Sequence, residues 1–372
     1  MPPDALSFSR TRNVIESGIA AGLHPGAQLY VSIALRPAAD LAFGNAQAGV
    51  PMTVDSLNLW MSASKPVAAV AMMQLVERGL LDLDDRVTRF IPEFGVNGKG
   101  PITIRHLLTH TAGFRAPPKS QEAPWEQIIA EMSAAKLETG WVPGEKAGYH
   151  PASSWYILGE IVRRADGRMY WQYVRDEIFK PIGMNDSWVG MPESVFEAYG
   201  DRIAPMHKIL SNGAAVPLNA RAVATSCRPG SSGWGPIHEL GRFYEMLLNR
   251  GELSVHRVLS AESVGALTFR HRAGMFDETF KQRIDWGLGF LLQSPQPSGE
   301  LPYGYSEYSS PGTFGHGGAE SSGAFCDPER GLVVAYVFNG QPGEARHHER
   351  RKALVAAIYE DSGSAASGHS GL

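Results

Sequence analysis

Two runs of strand-forming residues lie at opposite ends of this chain, and they constrain its fold more than any other feature. Ala27 to Leu35 reads AQLYVSIAL and Leu332 to Asn339 reads LVVAYVFN, both short, apolar and rich in β-branched or aromatic residues. A further strand is expected around Leu41-Ala42-Phe43. Another, Gly323 to Asp327, turns through Pro328-Glu329-Arg330-Gly331 into the Leu332 run as a hairpin. Between about 85 and 200 the period changes to that of helices: Ile104 to Leu108, Trp125 to Met132, Ser154 to Arg164, Tyr170 to Phe179. Helices are also expected over Asn13–Leu23, His238–Asn249 and Arg346–Tyr359, and residues 205–234 read as irregular. Strands at both ends around a helical middle predict an α/β plus all-α protein. Its one sheet would be assembled from residues 1–84 and 200–361, with a helical domain inserted over 85–199. The tail SGSAASGHSGL, residues 362–372, is too poor in large apolar side chains to pack and is expected to be disordered.

Length agrees with a two-part unit, since 372 residues exceed what one core usually holds, about 250–300. With 34 basic and 38 acidic side chains the net charge is -4, so there is no electrostatic basis for binding nucleic acid or an anionic membrane. No run of roughly 18 apolar residues exists to span a bilayer. The N-terminus lacks a basic stretch followed by an apolar core, which argues against a signal peptide, and Cys227 and Cys326 are too few for a disulfide framework. The expected location is the cytoplasm.

The chemistry centres on WMSASKPVAAV, residues 60 to 70. Ser62 stands at a helix start, at the positive end of the helix dipole, and Lys65 lies one turn on along the same face. Pro66 is tolerated there because the first helical N–H groups have no intrahelical partner. From Ser62 to Arg78 the residues are apolar almost all round, which predicts a buried helix ended by Gly79. Burial would desolvate Lys65 and lower its pKa, leaving an amine able to take a proton from a serine. The same residues also fit an N-cap serine beside a lysine that snorkels to solvent. The spacing recurs at Ser133-Ala134-Ala135-Lys136, near a helix C-terminus with polar residues after it, and that copy is expected on the surface.

A serine acyl-transfer site needs a proton relay and an oxyanion hole as well. Tyr149, in PGEKAGYHP before a helix, and His316, in TFGHGGA among glycines that admit close backbone approach, are the candidates. Each is equally readable as structural on its own. Other chemistries fare worse: Gly-x-Ser-x-Gly is absent, His238-Glu239 lacks a second zinc-spaced histidine, and Gly287-Leu288-Gly289 lacks the third glycine of a nucleotide loop. His347-His348 falls in a basic stretch expected on the surface.

Taken together, these segments resemble the serine β-lactamase and penicillin-binding-protein superfamily, on its class C side, closest to the family VIII carboxylesterases. SASKPVAAVAMMQLVERGLLDLDDRVTRFIPEF resembles the family's nucleophile helix, LLTHTAGF its His-Thr-Ser-Gly segment, the region from Pro143 its tyrosine motif, and FGHGGAESSGAFCDPERGLVVAYVFNG its third motif with the following hairpin. The resemblance runs in order from about residue 25 to 360. It implies an antiparallel sheet flanked by helices, with an inserted helical domain and the site between the two. It also implies Ser62 as nucleophile, Lys65 and Tyr149 sharing the base role, and the backbone N–H groups of Ser62 and Ala319 as the oxyanion hole. His316, Gly317 and Gly318 would line the substrate, and no metal or cofactor is implied.

Two departures from the family pattern shape the functional expectation. The second motif reads Tyr149-His150-Pro151 where Tyr-x-Asn is usual, so the asparagine amide is missing and His150 is the candidate substitute for contacting substrate. The third motif has His316-Gly317-Gly318 where Lys-Thr-Gly is usual, which removes a cation suited to a substrate carboxylate. Both point away from antibiotic hydrolysis, and the loss of the lysine favours a carboxylesterase acting on small neutral esters or amides. The alternatives are a transacylase passing the acyl group to an amine or alcohol in small-molecule biosynthesis, a β-lactamase or D-Ala-D-Ala carboxypeptidase, and a non-catalytic binding protein on the same fold.

Overall fold

The computed structural model describes residues 7–294 and 305–363. The two distant strand runs do meet. The first, β1 (Gly26–Ile33), continues through β2 (Arg36–Gln47) to β3 (Val50–Pro51). From the other end of the chain come β4 (Leu291–Leu292), β5 (Phe314–Gly318), β6 (Ser322–Asp327) and β7 (Leu332–Phe338). They form one 7-stranded sheet in the order β4-β5-β6-β7-β1-β2-β3, every pairing antiparallel. The join is β7 against β1, with Ala27 opposite Phe338 and Ile33 opposite Leu332.

Side chains alternate across this sheet, as the pleat requires. Leu29, Val31, Val334, Tyr336 and Phe338 face helices α1 (Ser9–Ala20) and α6 (Glu344–Asp361), meeting Ile15, Leu354, Ile358 and Tyr359. Tyr30, Val333, Ala335 and Val337 face the other way, toward Leu240, Phe243 and Tyr244 of α5 (Ile237–Leu248). Against that second layer lies α2 (Lys65–Glu77), buried without interruption from Lys65 to Leu75. Each large side chain it buries contributes about 1.5–3 kcal/mol, which is what a helix apolar on every face is built to collect. Gly79, at φ 67, takes the left-handed turn that stops it. Beyond α2 the chain is mainly helical, with α3 (Trp125–Ala134) and α4 (Ser153–Asp166) packed together, before it returns to the sheet.

Several expectations change. Residues 205–234, read as irregular, contain the short strands His207–Ile209, Ala215–Pro217 and Gly233–Gly235 and a helix over Ala220–Ala224. His347 is not on the surface: α6 turns His347, Arg350 and Arg351 inward, where Arg350 donates to the carbonyls of Leu23, Glu320 and Gly340. Ser133 is buried too, because α3 packs its Ile128, Ile129 and Met132 face inward and carries Ser133 with it, while Lys136 stays exposed. Trp60 and Trp234 are packed in the core and Tyr305 and Tyr308 against the sheet, which is the packing expected of these aromatic residues rather than a change. Tyr303 and most of the 362–372 tail lie outside the described residues. No helix among the described residues is long and apolar enough to cross a membrane.

Candidate active site

Ser62 stands where a short strand is forced to become a helix. Leu57–Leu59 pairs with Gly233–Gly235, and the Trp60 N–H donates to Gly233 O at 2.8 Å. The chain then bends at Met61, whose φ of 50° and ψ of -136° are unusual for a residue with a side chain. Such a conformation costs roughly 1–3 kcal/mol and persists only where the surroundings over-determine it. Ser64 supplies part of that restraint. Its hydroxyl donates to Met61 O at 2.6 Å and accepts from the Gly233 N–H at 2.9 Å. Ser322 supplies another part by donating to Trp60 O at 2.6 Å. After the bend come a 3₁₀ turn, Ser62–Ser64, and α2.

Lys65 is fully buried at the first turn of α2. Its Nζ lies 3.0 Å from Ser62 Oγ, 2.9 Å from Pro151 O and 2.9 Å from Gly230 O. Loss of hydration holds its pKa well below the usual lysine range. The geometry then sorts the protons. A neutral amine has two N–H groups and one lone pair, and the two carbonyls can only accept. They take both N–H groups, and the lone pair is left for the one neighbour with a proton to give, the Ser62 hydroxyl. Pro151 occupies the place where an asparagine was expected, and its backbone carbonyl offers Lys65 an acceptor there.

Tyr149 comes to the same place on the loop before α4. Its ring centroid is 5.1 Å from Lys65 Nζ, and that of Trp155 is 5.4 Å away. The ring is buried among His110 (4.6 Å between centroids), Phe280 (4.9 Å), Trp286 (5.9 Å) and His316 (6.1 Å). Ser62, Lys65 and Tyr149 are thus gathered from two separate stretches of chain.

His150 is turned elsewhere. Its Nε2 accepts the backbone N–H groups of Gly113 (3.0 Å) and Phe114 (3.3 Å), while the backbone N–H of His150 donates to His110 Nδ1 at 3.0 Å. Burial lowers its pKa to about 3, so the ring is neutral and serves as an acceptor for the loop after Leu108. His316 lies on β5 with Nδ1 2.6 Å from Gly317 O and its ring 5.5 Å from Trp286. Burial and the nearby Lys65 lower its pKa to about 3 as well, so this position carries no positive charge at neutral pH.

The glycine beside it is required by space. A Cβ on Gly318 would sit 2.1 Å from Ser322 Oγ and 2.5 Å from Trp60 O. Only glycine lets the end of β5 lie this close to the Trp60–Met61 backbone. Ser64, Ser322, Gly230 and Gly233 have no motif to announce them, so sequence reading passed over them. Their roles arise from backbone contacts across long separations.

A cleft of about 810 Å³ has Tyr149, Pro151, Phe114, Met132, Arg115 and Lys136 in its wall, with Tyr149 the one member of the cluster that lines it. A second pocket of about 520 Å³ is lined by Trp125, Trp171 and Cys227 and by none of the three clustered residues. No group of histidine, cysteine or carboxylate side chains among the described residues could hold a metal ion.

A family model described as Beta-lactamase matches residues 11–358. The chain is 26% identical over 342 residues to Esterase/beta-lactamase LipL of Mycobacterium tuberculosis, covering 84% of this chain and 77% of LipL. Among solved structures, a novel penicillin-binding protein homologue from Caulobacter crescentus is similar at 30% identity and a TM-score of 0.79, covering 95% of this chain and 98% of that one. A family VIII carboxylesterase is similar at 28% identity and a TM-score of 0.78, covering 95% and 97% of the two chains.

Proposed function

The chain belongs to the beta-lactamase family, and from that premise we propose that it is a serine acyl hydrolase of carboxylesterase type, acting on small neutral esters or amides through an acyl-enzyme on Ser62. The observation that carries the reading is the Lys65 environment: a buried amine with Nζ 3.0 Å from Ser62 Oγ and 2.9 Å from both Pro151 O and Gly230 O. Ser62 Oγ forms a bond to the substrate carbonyl carbon as its proton passes to Lys65, with Tyr149 sharing the base role. The oxyanion so formed is held by the N–H groups of Ser62 and Ala319. On collapse the carbon–oxygen or carbon–nitrogen bond to the leaving group breaks, and the leaving group takes the Tyr149 hydroxyl proton. Tyr149 regains a proton from the Lys65 ammonium, and water then releases the acid.

The neutral His316 supports neutral substrates over carboxylate-bearing ones, because a β-lactam or peptide carboxylate would meet no cation at this strand. The family VIII carboxylesterase is named for ester hydrolysis and supports the same choice, while LipL carries both an esterase and a beta-lactamase name. A second reading, acyl transfer to an alcohol or amine, is favoured by the size of the cleft beside Tyr149, which leaves room for an acceptor larger than water.

Turnover of a short-chain p-nitrophenyl ester against a chromogenic cephalosporin tests the substrate class, and faster cephalosporin hydrolysis would overturn it. Intact mass after fluorophosphonate treatment should show one adduct, lost in Ser62→Ala and kept in Ser133→Ala. An adduct surviving in Ser62→Ala would refute the nucleophile. Added alcohol or amine diverts the acyl group to a new ester or amide only if transfer operates.

A further inference from the structure

One hairpin far along the chain grips the backbone of Tyr149. Its strands are Phe276–Asp277 and Gln282–Arg283, and Asp277 is fully buried at its base. Asp277 Oδ1 accepts three backbone N–H groups, those of Thr279 (2.9 Å) and Phe280 (3.0 Å) within the hairpin and that of Tyr149 (3.1 Å). Its Oδ2 accepts from Arg272 at 2.6 Å, a guanidinium itself only 1% exposed. The other side of the Tyr149 peptide is held as well, because Thr279 Oγ1 donates to Tyr149 O at 3.0 Å. Two residues earlier in the loop, Ala147 O accepts from the Glu278 N–H at 2.9 Å. Phe280 then lies on the Tyr149 ring, and Arg272 lies over Trp286, whose ring stacks on the same phenol.

Burying an ion pair carries a desolvation penalty that apolar residues of equal volume would avoid, so a buried pair is a poor device for stability alone. It is a good device for fixing a backbone, because a carboxylate with its acceptor sites filled cannot move without breaking several charge-assisted bonds together. We propose that Asp277, held by Arg272, and Thr279 are positioning residues that set the Tyr149 phenol for proton transfer to the leaving group. The inference rests on the reading of Tyr149 as that proton donor. Displacing a catalytic group by about 1 Å can cost on the order of 100-fold in rate, so a clamp on both polar groups of its peptide has a direct catalytic consequence.

The test compares two esters of one acid, p-nitrophenyl butyrate and ethyl butyrate. Both give the same acyl-enzyme, so kcat/KM isolates acylation. The p-nitrophenolate leaves with little help, whereas ethoxide needs a proton. Tyr149→Phe sets the benchmark and should lower kcat/KM for the ethyl ester at least ~10-fold more than for the p-nitrophenyl ester. Thr279→Val and Asp277→Asn should lower the ethyl ester by ~10–100-fold while the p-nitrophenyl ester changes much less, with fluorophosphonate labelling of Ser62 retained. Equal losses on both esters, or none on either, would overturn the positioning role. Should Asp277→Asn fail to fold with Arg272 left unpaired, Thr279→Val decides, since it removes one hydroxyl and no charge. If Tyr149→Phe itself shows no leaving-group discrimination, the proton-donor reading falls and the proposal falls with it, whereas loss of the adduct in Ser62→Ala continues to hold the nucleophile separately.

Discussion

Replacing Gly318 by alanine puts the oxyanion hole to the test with a single methyl group. The added Cβ would stand 2.5 Å from Trp60 O, where ordinary contact begins at 3.4 Å, so the end of β5 must retreat by 0.9 Å from the nucleophile segment. The other contact, 2.1 Å to Ser322 Oγ, can be relieved by rotating that hydroxyl, but only by breaking its bond to Trp60 O. Either movement shifts the end of β5, and with it the proposed oxyanion donor Ala319 N–H, relative to the Trp60–Met61 segment. Loss of one oxyanion donor lowers kcat by roughly 100–1000-fold. Overpacking at one position costs about 1–3 kcal/mol, which should lower Tm by a few degrees without unfolding the protein. The assay is steady-state hydrolysis of p-nitrophenyl butyrate alongside thermal unfolding and fluorophosphonate labelling. The expected result is a large fall in kcat, a KM changed little, and slower but specific labelling of Ser62. A folded variant with kcat within about threefold of the parent would refute the claim that the end of β5 supplies an oxyanion donor.

Three further outcomes follow from the same structure. Lys65 works as a base only when neutral, and burial holds its pKa well below the ordinary value. The kcat/KM should therefore rise with pH to a plateau reached well below the ordinary lysine value of about 10.4, and fall on acidification through the depressed pKa; an acid limb centred near ~10 would contradict this. His150→Phe leaves the Gly113 and Phe114 amides without their acceptor and should cost about 2–4 kcal/mol in urea unfolding while kcat changes only a few-fold; unchanged stability would show the ring is not needed there. His24, His150 and His316 have folded-state pKa values lowered to about 3, below the unfolded value of roughly 6.5, so the unfolded chain binds more protons across that window. Their stabilisation is complete above about 6.5 and is lost as pH falls toward 3, on the order of 3 kcal/mol each by about pH 4, and equal urea midpoints at about pH 7 and 4 would refute it.

The parts of this protein legible in its sequence are those whose cause is local. A helix apolar on every face must be buried, so its burial was legible, while the same residues left Lys65 either desolvated or snorkelling until the fold showed it buried. Short, nearly continuous apolar runs rich in β-branched and aromatic residues were legible as strands at the two ends, and they pair with each other in one sheet. Histidines were harder. The basic stretch around His347 reads as surface because charge alone is visible, yet Arg350 finds backbone carbonyls enough to be buried beside it. His150 stands next to the motif tyrosine in sequence, but neighbouring residues on an extended loop point in opposite directions, and its ring is taken by the loop amides.

What the sequence by itself determined is the pair Ser62 and Lys65 at the head of a buried helix, with Tyr149 and a glycine-lined strand as candidate partners. Only the tertiary structure decided which oxygens share the Lys65 protons, that Pro151 O lies where an asparagine was expected, and that Asp277 grips Tyr149 from 128 positions away. The physical reason is that these contacts are made by backbone carbonyls and amides. Every residue carries those groups, so their direction is set by how distant segments pack and leaves no mark in the local pattern.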